Sequence, residues 1–372
     1  MKNTVFVLVL LATSLYCELG EITAPISTTL DSHEVNSSSS VNSVPATPLI
    51  SSLFEYREPL NDSGFNAFVE YLFFWVNEEG CDNFVLAPNG YTYPQAAIDN
   101  PTSFSSVDIG EYKGASFEGS SGVRFGFGYT FEREYWNLLG QYTFYSTDGA
   151  VTIRKPSNSF IFATLPNLNG NLNIAESSTK FNYQITDLLL SKRFTLGNQI
   201  LLNLHLGLAG AWIDQKWLVN YFDGIDTFVK NQWHYHAGGF TLGLDNDWHL
   251  GHGFGIFNAL SCGIFCGRYS WDIKYTISPP TSGYLNPIGN ATLSNFLATP
   301  ALRFDFGVDW GKVFDSWAFK LLLAFEVNTW FNLEQMFKLT TFAADLTDDR
   351  KSSFSACNVN VFGLTGRFDV SY

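Results

Sequence analysis

Between Gly64 and Tyr372 the large apolar side chains recur at every second position. That period belongs to strands with one apolar and one polar face, because successive side chains of a strand point to opposite sides. Ile200, Leu202, Leu204, Leu206, Leu208 and Trp212 share one face, and Asn203, His205, Gly207, Ala209 and Gln215 share the other. Leu302, Phe304, Phe306, Val308 and Trp310 stand opposite Arg303, Asp305, Gly307 and Asp309. Trp317, Phe319, Leu321, Leu323, Phe325 and Val327 stand opposite Lys320, Glu326 and Asn328. A helix would spread those charges around its circumference. Ten segments carry the pattern, at about 64–76, 117–131, 135–146, 180–196, 199–217, 232–248, 254–275, 297–312, 317–331 and 358–372. Two of them change phase, near Thr186-Asp187 and near Gly238-Gly239, and β-bulges are expected there.

The connections alternate in length. Glu132-Arg133-Glu134, Gly197-Asn198, His249–Gly253 and Val313–Ser316 are short, and a long connection separates each from the next. Outer-membrane barrels show this alternation together with an even strand number and lipid-facing aromatics. No apolar run reaches the ~20 residues of a membrane-spanning helix. Lipid satisfies no backbone hydrogen bonds, so a chain of this kind crosses only as a closed barrel. The predicted fold is all-β: a transmembrane antiparallel β-barrel over residues 64–372, of about 10 strands, or 12–14 if the loops 77–116 and 147–179 hide more. The expected setting is the bacterial outer membrane, with its lipid and the barrel assembly machinery as partners.

The N-terminus differs from the rest. Met1-Lys2-Asn3 precedes an apolar run from Val5 to Tyr16, the form of a secretory signal peptide, here assigned to residues 1–20. Ser14-Leu15-Tyr16-Cys17 has a lipoprotein-like order, but Tyr16 is too bulky for that role. Residues 21–63 are rich in Ser, Thr and Pro and read as a disordered linker. Asn36-Ser37-Ser38 matches a glycosylation acceptor by chance composition.

Composition adds two exclusions. The 372 residues carry 35 acidic against 21 basic side chains, a net charge of −14, which excludes a nucleic-acid binder. Aromatics at 17% outnumber charged residues at 15%, which excludes a wholly disordered chain. Acids and bases balance within the ten segments, so the acidic excess lies in the tail, loops and turns and does not argue for a cation-selective lumen. A negative outer vestibule would still attract cations.

With the strands placed, four strings carry a family likeness. They are Gly64-Phe65 through Glu70-Tyr71-Leu72-Phe73-Phe74-Trp75, and Gly207-Leu208-Ala209-Gly210-Ala211-Trp212-Ile213-Asp214-Gln215. The other two are Gly238-Gly239-Phe240 with Gly243-Leu244-Asp245 and Trp248, and Gly363-Leu364-Thr365-Gly366-Arg367-Phe368-Asp369. Together they resemble a pore-forming, major-outer-membrane-protein-like family of intracellular bacteria of the legionella and environmental chlamydia type. The resemblance implies passive diffusion of small hydrophilic solutes or ions, with no catalytic residues and no cofactor.

The polar faces hold the candidate lumen residues: Glu70, Glu118, Arg124, Asn203, His205 and Arg303, with Asp305, Asp309, Lys320, Glu326, Arg367 and Asp369. Lining a wet lumen, they would screen solutes by charge and size. Ten strands make a narrow barrel, so the other reading pairs them across a filled interior. The loops 77–116 and 147–179 are able to fold inward and constrict the passage. The closing Phe368, Val370 and Tyr372 resemble the assembly signal of bacterial outer-membrane barrels.

Metal and redox chemistry find little support. His234 and His236 project from one strand face, but His249 and His252 lie at the far end of the same strand, roughly 40 Å away at ~3.3 Å per residue. Cys262 and Cys266, ~13 Å apart on a strand, cannot bridge to each other. Cys81 and Cys357 fall in outer loops and can pair with each other or with neighbouring molecules. Related chlamydial proteins form disulfide-linked envelopes, which implies intermolecular bonding and homo-oligomers for this pair. Two other classes remain: a non-conducting structural or adhesive barrel, and an omptin-like protease with Asp223, Asp226, His234 and His236 meeting at the outer rim. No Gly-rich phosphate loop, nucleophile elbow or zinc motif is present.

Overall fold

The computed structural model describes residues 63–78, 83–87, 111–131, 136–157, 161–165, 172–196, 199–278, 286–314, 316–341 and 350–372. The expected signal peptide, nearly all of the linker and Cys81 lie outside the described residues. The strands are β1 (Gly64–Glu78), β2 (Asn83–Ala87), β3 (Glu111–Gly114), β4 (Ser120–Thr130), β5 (Trp136–Arg154), β6 (Phe162–Ala163) and β7 (Ile174–Leu196). They continue as β8 (Ile200–Phe222), β9 (Asp226–Gly251), β10 (Phe254–Ser278), β11 (Asn286–Val313), β12 (Ala318–Thr341) and β13 (Arg350–Ser371).

Ten of these strands close into an antiparallel barrel in the order β1-β13-β12-β11-β10-β9-β8-β7-β5-β4, with β4 returning to β1. The seam is well made. β1 pairs with β13 from Asn66 opposite Ser371 to Glu78 opposite Val359, and Tyr372 N–H donates to Phe65 O at 2.9 Å. Closure leaves no unpaired edge, which is the condition for standing in lipid.

The remaining three strands form a separate sheet, β3-β2-β6. Two come from the first long loop and one from the second, so both loops turn inward as expected. Phe84, Val85 and Ile161 of this sheet and its flank are fully buried, in one apolar cluster with Tyr145, Trp217 and Tyr221 of the wall. Tyr221 O–H donates to Phe84 O at 2.6 Å and ties the small sheet to β8.

The expected bulges at the two phase changes are absent. β7 pairs with β8 without a break from Ile174 to Leu196, and β9 pairs with β8 straight through Gly238 and Gly239. What changes there is the chemistry of the two faces. On β7 the inward residues Phe181, Tyr183 and Ile185 give way to Asp187 and Ser191, while outward Lys180, Asn182 and Gln184 give way to Leu188 and Leu190. On β9 the inward Trp233 and Tyr235 give way to Asp245 and Asp247, while outward Gln232, His234 and His236 give way to Phe240, Leu242 and Leu244. The wall shifts register elsewhere, in β12 between Trp330 and Glu334, where Asn332 has φ 54°.

The same inversion corrects the loop pattern. β8 and β9 are joined by the turn Asp223–Ile225, not by a long loop, because both strands run on past the lipid-facing band. On β8 the outward apolar series is unbroken to Trp212, and beyond it Asp214, Lys216 and Asn220 share that face with Leu218 and Phe222. At ~3.3 Å per residue and ~40° tilt, Leu202 to Trp212 covers ~25 Å of height, the thickness of the lipid-facing band of such barrels. The upper part of β8 and β9 therefore stands above the bilayer, with water outside and a largely apolar interior that also buries Gln215, hydrogen-bonded to Glu78 at 2.9 Å.

Candidate functional site: a charged cavity beneath an apolar plug

The turn His249–Gly253 and the barrel's first and last residues lie at one end, which in outer-membrane barrels faces the periplasm. From that end a cavity of about 440 Å³ enters the lumen, its rim including Gly64, Ser316, Trp317 and Tyr372. Alternation of short polar and charged residues on the inward faces makes this half hydrophilic while the outward faces meet lipid.

Register brings the charges together. Glu70 on β1 stands opposite Arg124 on β4 and Arg367 on β13, and Asp305 on β11 stands opposite Glu326 on β12. Arg124 reaches beyond its neighbour: it donates to Glu70 at 2.9 Å, to Glu326 at 2.7 and 2.9 Å, and to Thr143 at 2.9 Å. Glu326 is fully buried, and it also accepts from Asn328 at 2.7 Å and lies 3.3 Å from Arg303. Arg303 pairs with Asp305 at 2.8 Å, and Arg367 with Asp369 at 2.6 Å while stacking on Phe68 at 3.8 Å. A second group sits nearer the rim, where Lys320 is held between Asp247 and Asp309. On the facing wall His205 lies 3.6 Å from Asp245, which accepts from Asn203 at 3.0 Å.

The cavity ends at a layer of rings. Tyr183, Phe265 and Trp330 line its inner limit, with Trp330 4.6 Å from Phe265 and 6.2 Å from Tyr183, centroid to centroid. Above them Phe181, Trp217, Trp233, Tyr235 and Tyr269 are buried, and the small loop sheet lies on the same apolar cluster. No ordered water column runs through a stack of this kind, since close-packed interiors leave few voids large enough for water. The outer half of the lumen is filled.

Most of the sequence-predicted lumen residues converge. Glu70, Arg124, Arg303, Asp305, Glu326, Arg367 and Asp369 meet in hydrogen-bonded pairs, and Asn203, His205, Asp309 and Lys320 line the same cavity. Glu118 does not: it is exposed in the segment leading into β4, where its carbonyl accepts from Thr147. Phe368, Val370 and Tyr372 all lie on the outward face of β13, with Tyr372 77% exposed. Cys262 and Cys266 are free and outward. Cys357 is disulfide-bonded, and Cys81 lies outside the described residues.

The protease constellation is not assembled. Asp223 belongs to the β8–β9 turn, and Asp226 lies eight residues from His234, ~26 Å along the strand. His234 instead meets Asp214 at 2.5 Å, with His236 3.6 Å from the same oxygen, on the outer side of the wall and not in the barrel mouth.

A family model described as Legionella pneumophila major outer membrane protein precursor matches residues 80–367. The chain belongs to this family. Membership places it in the bacterial outer membrane, in contact with membrane lipid. Among solved structures, the outer membrane protease OmpT from Escherichia coli is similar at 9% identity and a TM-score of 0.39, over 83% of this chain and 96% of that one. A FadL homologue from Pseudomonas aeruginosa is similar at 6% identity and a TM-score of 0.21, over 83% and 90%. An anion-selective porin from Comamonas acidovorans follows at 8% identity and a TM-score of 0.13, over 84% and 99%. Likenesses this distant carry no argument about activity. No curated protein matches the chain.

This family member has cavity residues that the sequence reading missed: Gln141, Asp187, Asp245 and Asp247. Gln141 donates to Asp187 at 2.8 Å. The signal was present, since Asp245 and Asp247 share the parity of Trp233 and Tyr235 on β9. Expecting a bulge at Gly238-Gly239 hid it.

Proposed function

We propose that this protein is an outer-membrane channel for small hydrophilic solutes or ions, closed by wall rings and the loop sheet packed on them. One observation carries the reading: charged and polar side chains line a cavity over the membrane half, and the sheet packed on the wall rings above it takes no part in the barrel ladder. Moving that sheet breaks no strand pairing in the wall. The sequence resemblance to a pore-forming family supports the same reading. The array of Arg124, Arg303 and Arg367 facing Glu70, Asp305, Glu326 and Asp369 would then impose a transverse field on any solute in the lumen. The chemistry asked of the protein is transit and selection, with no bond made or broken.

A second reading rests on the ring layer, whose rings all stand on wall strands: a barrel that conducts nothing and serves the envelope as a structural surface protein. Planar-bilayer recording separates the two. Wild type should show rare, discrete openings, and a variant with residues 83–114 replaced by a short Gly-Ser linker should conduct steadily. Silence from that variant, folded by its heat-modifiable gel mobility, sinks the channel.

A further inference from the structure

Above the lipid-facing band, one sector of the outer wall has an unusual pairing. Lys180 on β7 stands directly opposite Lys216 on β8, and Lys230 on β9 directly opposite Lys274 on β10. Arg268 stands on the same face, opposite His236 across β9 and β10. All six side chains are exposed on the outward face. Like charges placed directly across a ladder are destabilising, so a protein with net charge −14 gains nothing in isolation from two lysine pairs on neighbouring strands.

The carboxylates of the sector do not cancel them. Asp214 is engaged by His234 at 2.5 Å. Asp272 accepts from Gln232 at 3.2 Å and lies 3.7 Å from Lys274. Asp148 stands across from Lys180 on its other side. Up to its own level, Glu176 is the third acid on this face of β7–β10, so Lys180, Lys216, Lys230, Arg268 and Lys274 outnumber Glu176, Asp214 and Asp272 by two.

Height decides what such a patch meets. Trp212 ends the unbroken apolar series of β8, and its register partners are Gln184 on β7 and His236 on β9. Lys216 follows four residues later and Lys230 and Lys274 about two further on, which puts the ammonium groups ~10–15 Å above the apolar edge at ~40° tilt. Long basic side chains also bend toward the interface. That is the depth of the headgroups in the outer leaflet. The basic pairs are continuous with the lipid-facing surface below them, through Trp212, Leu208 and Phe240.

We propose that the outer face of β7–β10, centred on Lys216, Lys230, Arg268 and Lys274, binds the phosphorylated headgroup of an outer-leaflet glycolipid, with its acyl chains against the lipid-facing residues beneath. Phosphates satisfy both lysine pairs and Arg268 by charge-assisted hydrogen bonds and remove the like-charge repulsion that the bare wall carries. The site is separate from the lumen and holds whether or not the barrel conducts.

The test uses the full chain, folded in detergent, and native mass spectrometry with added bisphosphoryl lipid A, its dephosphorylated form or inorganic phosphate. Wild type should retain bisphosphoryl lipid A and lose the dephosphorylated form. The variant K216Q/K230Q/R268Q/K274Q should retain at least about tenfold less, since each basic group near a membrane surface contributes a share of the binding. The outward lysines at the opposite, periplasmic end supply the control: K192Q/K312Q should bind as wild type does. Equal retention of dephosphorylated lipid, an unaffected quadruple variant, an equal loss in K192Q/K312Q, or displacement of the lipid by equimolar inorganic phosphate would each overturn the proposal. Heat-modifiable gel mobility checks that every variant is folded.

Discussion

The two halves of this barrel are built from the same strands by opposite rules. In the membrane half the outward residues are Leu, Phe and Trp and the interior is charged and hydrogen-bonded; in the outer half Lys, Asn and Gln face out beside Leu218 and Phe228, and Trp, Tyr and Phe dominate an interior that also buries Glu78, Gln215 and Glu334. Nothing in the backbone marks the change, since the ladder of β7, β8 and β9 runs through it without a shift. The solvent marks it. Lipid takes apolar side chains at no cost, so the membrane half has no hydrophobic drive to fill its interior and can leave a cavity there. Water expels them, so the outer half packs like the core of a soluble β-protein, and the loop sheet completes that core.

The largest effects should fall on the two interiors, and they should differ in kind. Trp233→Ala removes a 1% exposed ring from the outer core and should cost about 3–5 kcal/mol there. The damage should stay local: trypsin should cut at Lys216 and Lys230 while the membrane half keeps its heat-modifiable mobility. Loss of both together would show one cooperative unit and break the comparison. In the membrane half Arg124→Leu leaves Glu70 and Glu326 without their shared cation. Urea unfolding in detergent should show a loss of about 3 kcal/mol, the lower end for a broken buried pair, because Arg303 still faces Glu326. Arg124→Leu combined with Glu326→Leu should restore more than half of it, as apolar replacement of a whole pair is often neutral. A double variant weaker than the single one would show that the network is needed intact.

The membrane half was legible because lipid enforces a strict period-two code. The ten strands, the closing seam and most of the charged lumen follow from side-chain parity alone, as with Arg303, Asp305 and Asp309 against Leu302, Phe304 and Phe306. The outer half was not, for a physical reason. Once a strand leaves the bilayer its apolar residues move to the other face, and parity read from one face then looks like a phase error. Thr186-Asp187 and Gly238-Gly239 resembled bulges for that cause, and Leu218–Phe222 and Asp226–Asn231 resembled loop. Glu118 was misplaced because acidic residues beside a strand carry no parity until the strand begins. The convergence of Arg124 with Glu326, three strands away around the barrel, depends on closure and on side-chain reach, which sequence order does not encode.

The smallest effect is the sharpest test of where one half ends. Leu206 and Leu218 lie on the same outward face of β8, twelve residues apart and similarly exposed at 57% and 52%. Sequence context treats them alike, and so does exposure. If the boundary runs at Trp212, Leu206 faces hydrocarbon and Leu218 faces water. Leu206→Arg should then cost about 2–4 kcal/mol of folding into lipid bilayers, the cost of a guanidinium on the lipid face near midplane. Leu218→Arg should change stability by less than about 0.5 kcal/mol, as exposed surface substitutions do. It adds charge beside Lys216 and Lys230, so its residual effect should shrink further as salt is raised, whereas the Leu206→Arg cost should not respond to salt. Equal penalties for the two arginines would move the bilayer edge above Leu218, and the inversion of the faces would then need an explanation other than solvent.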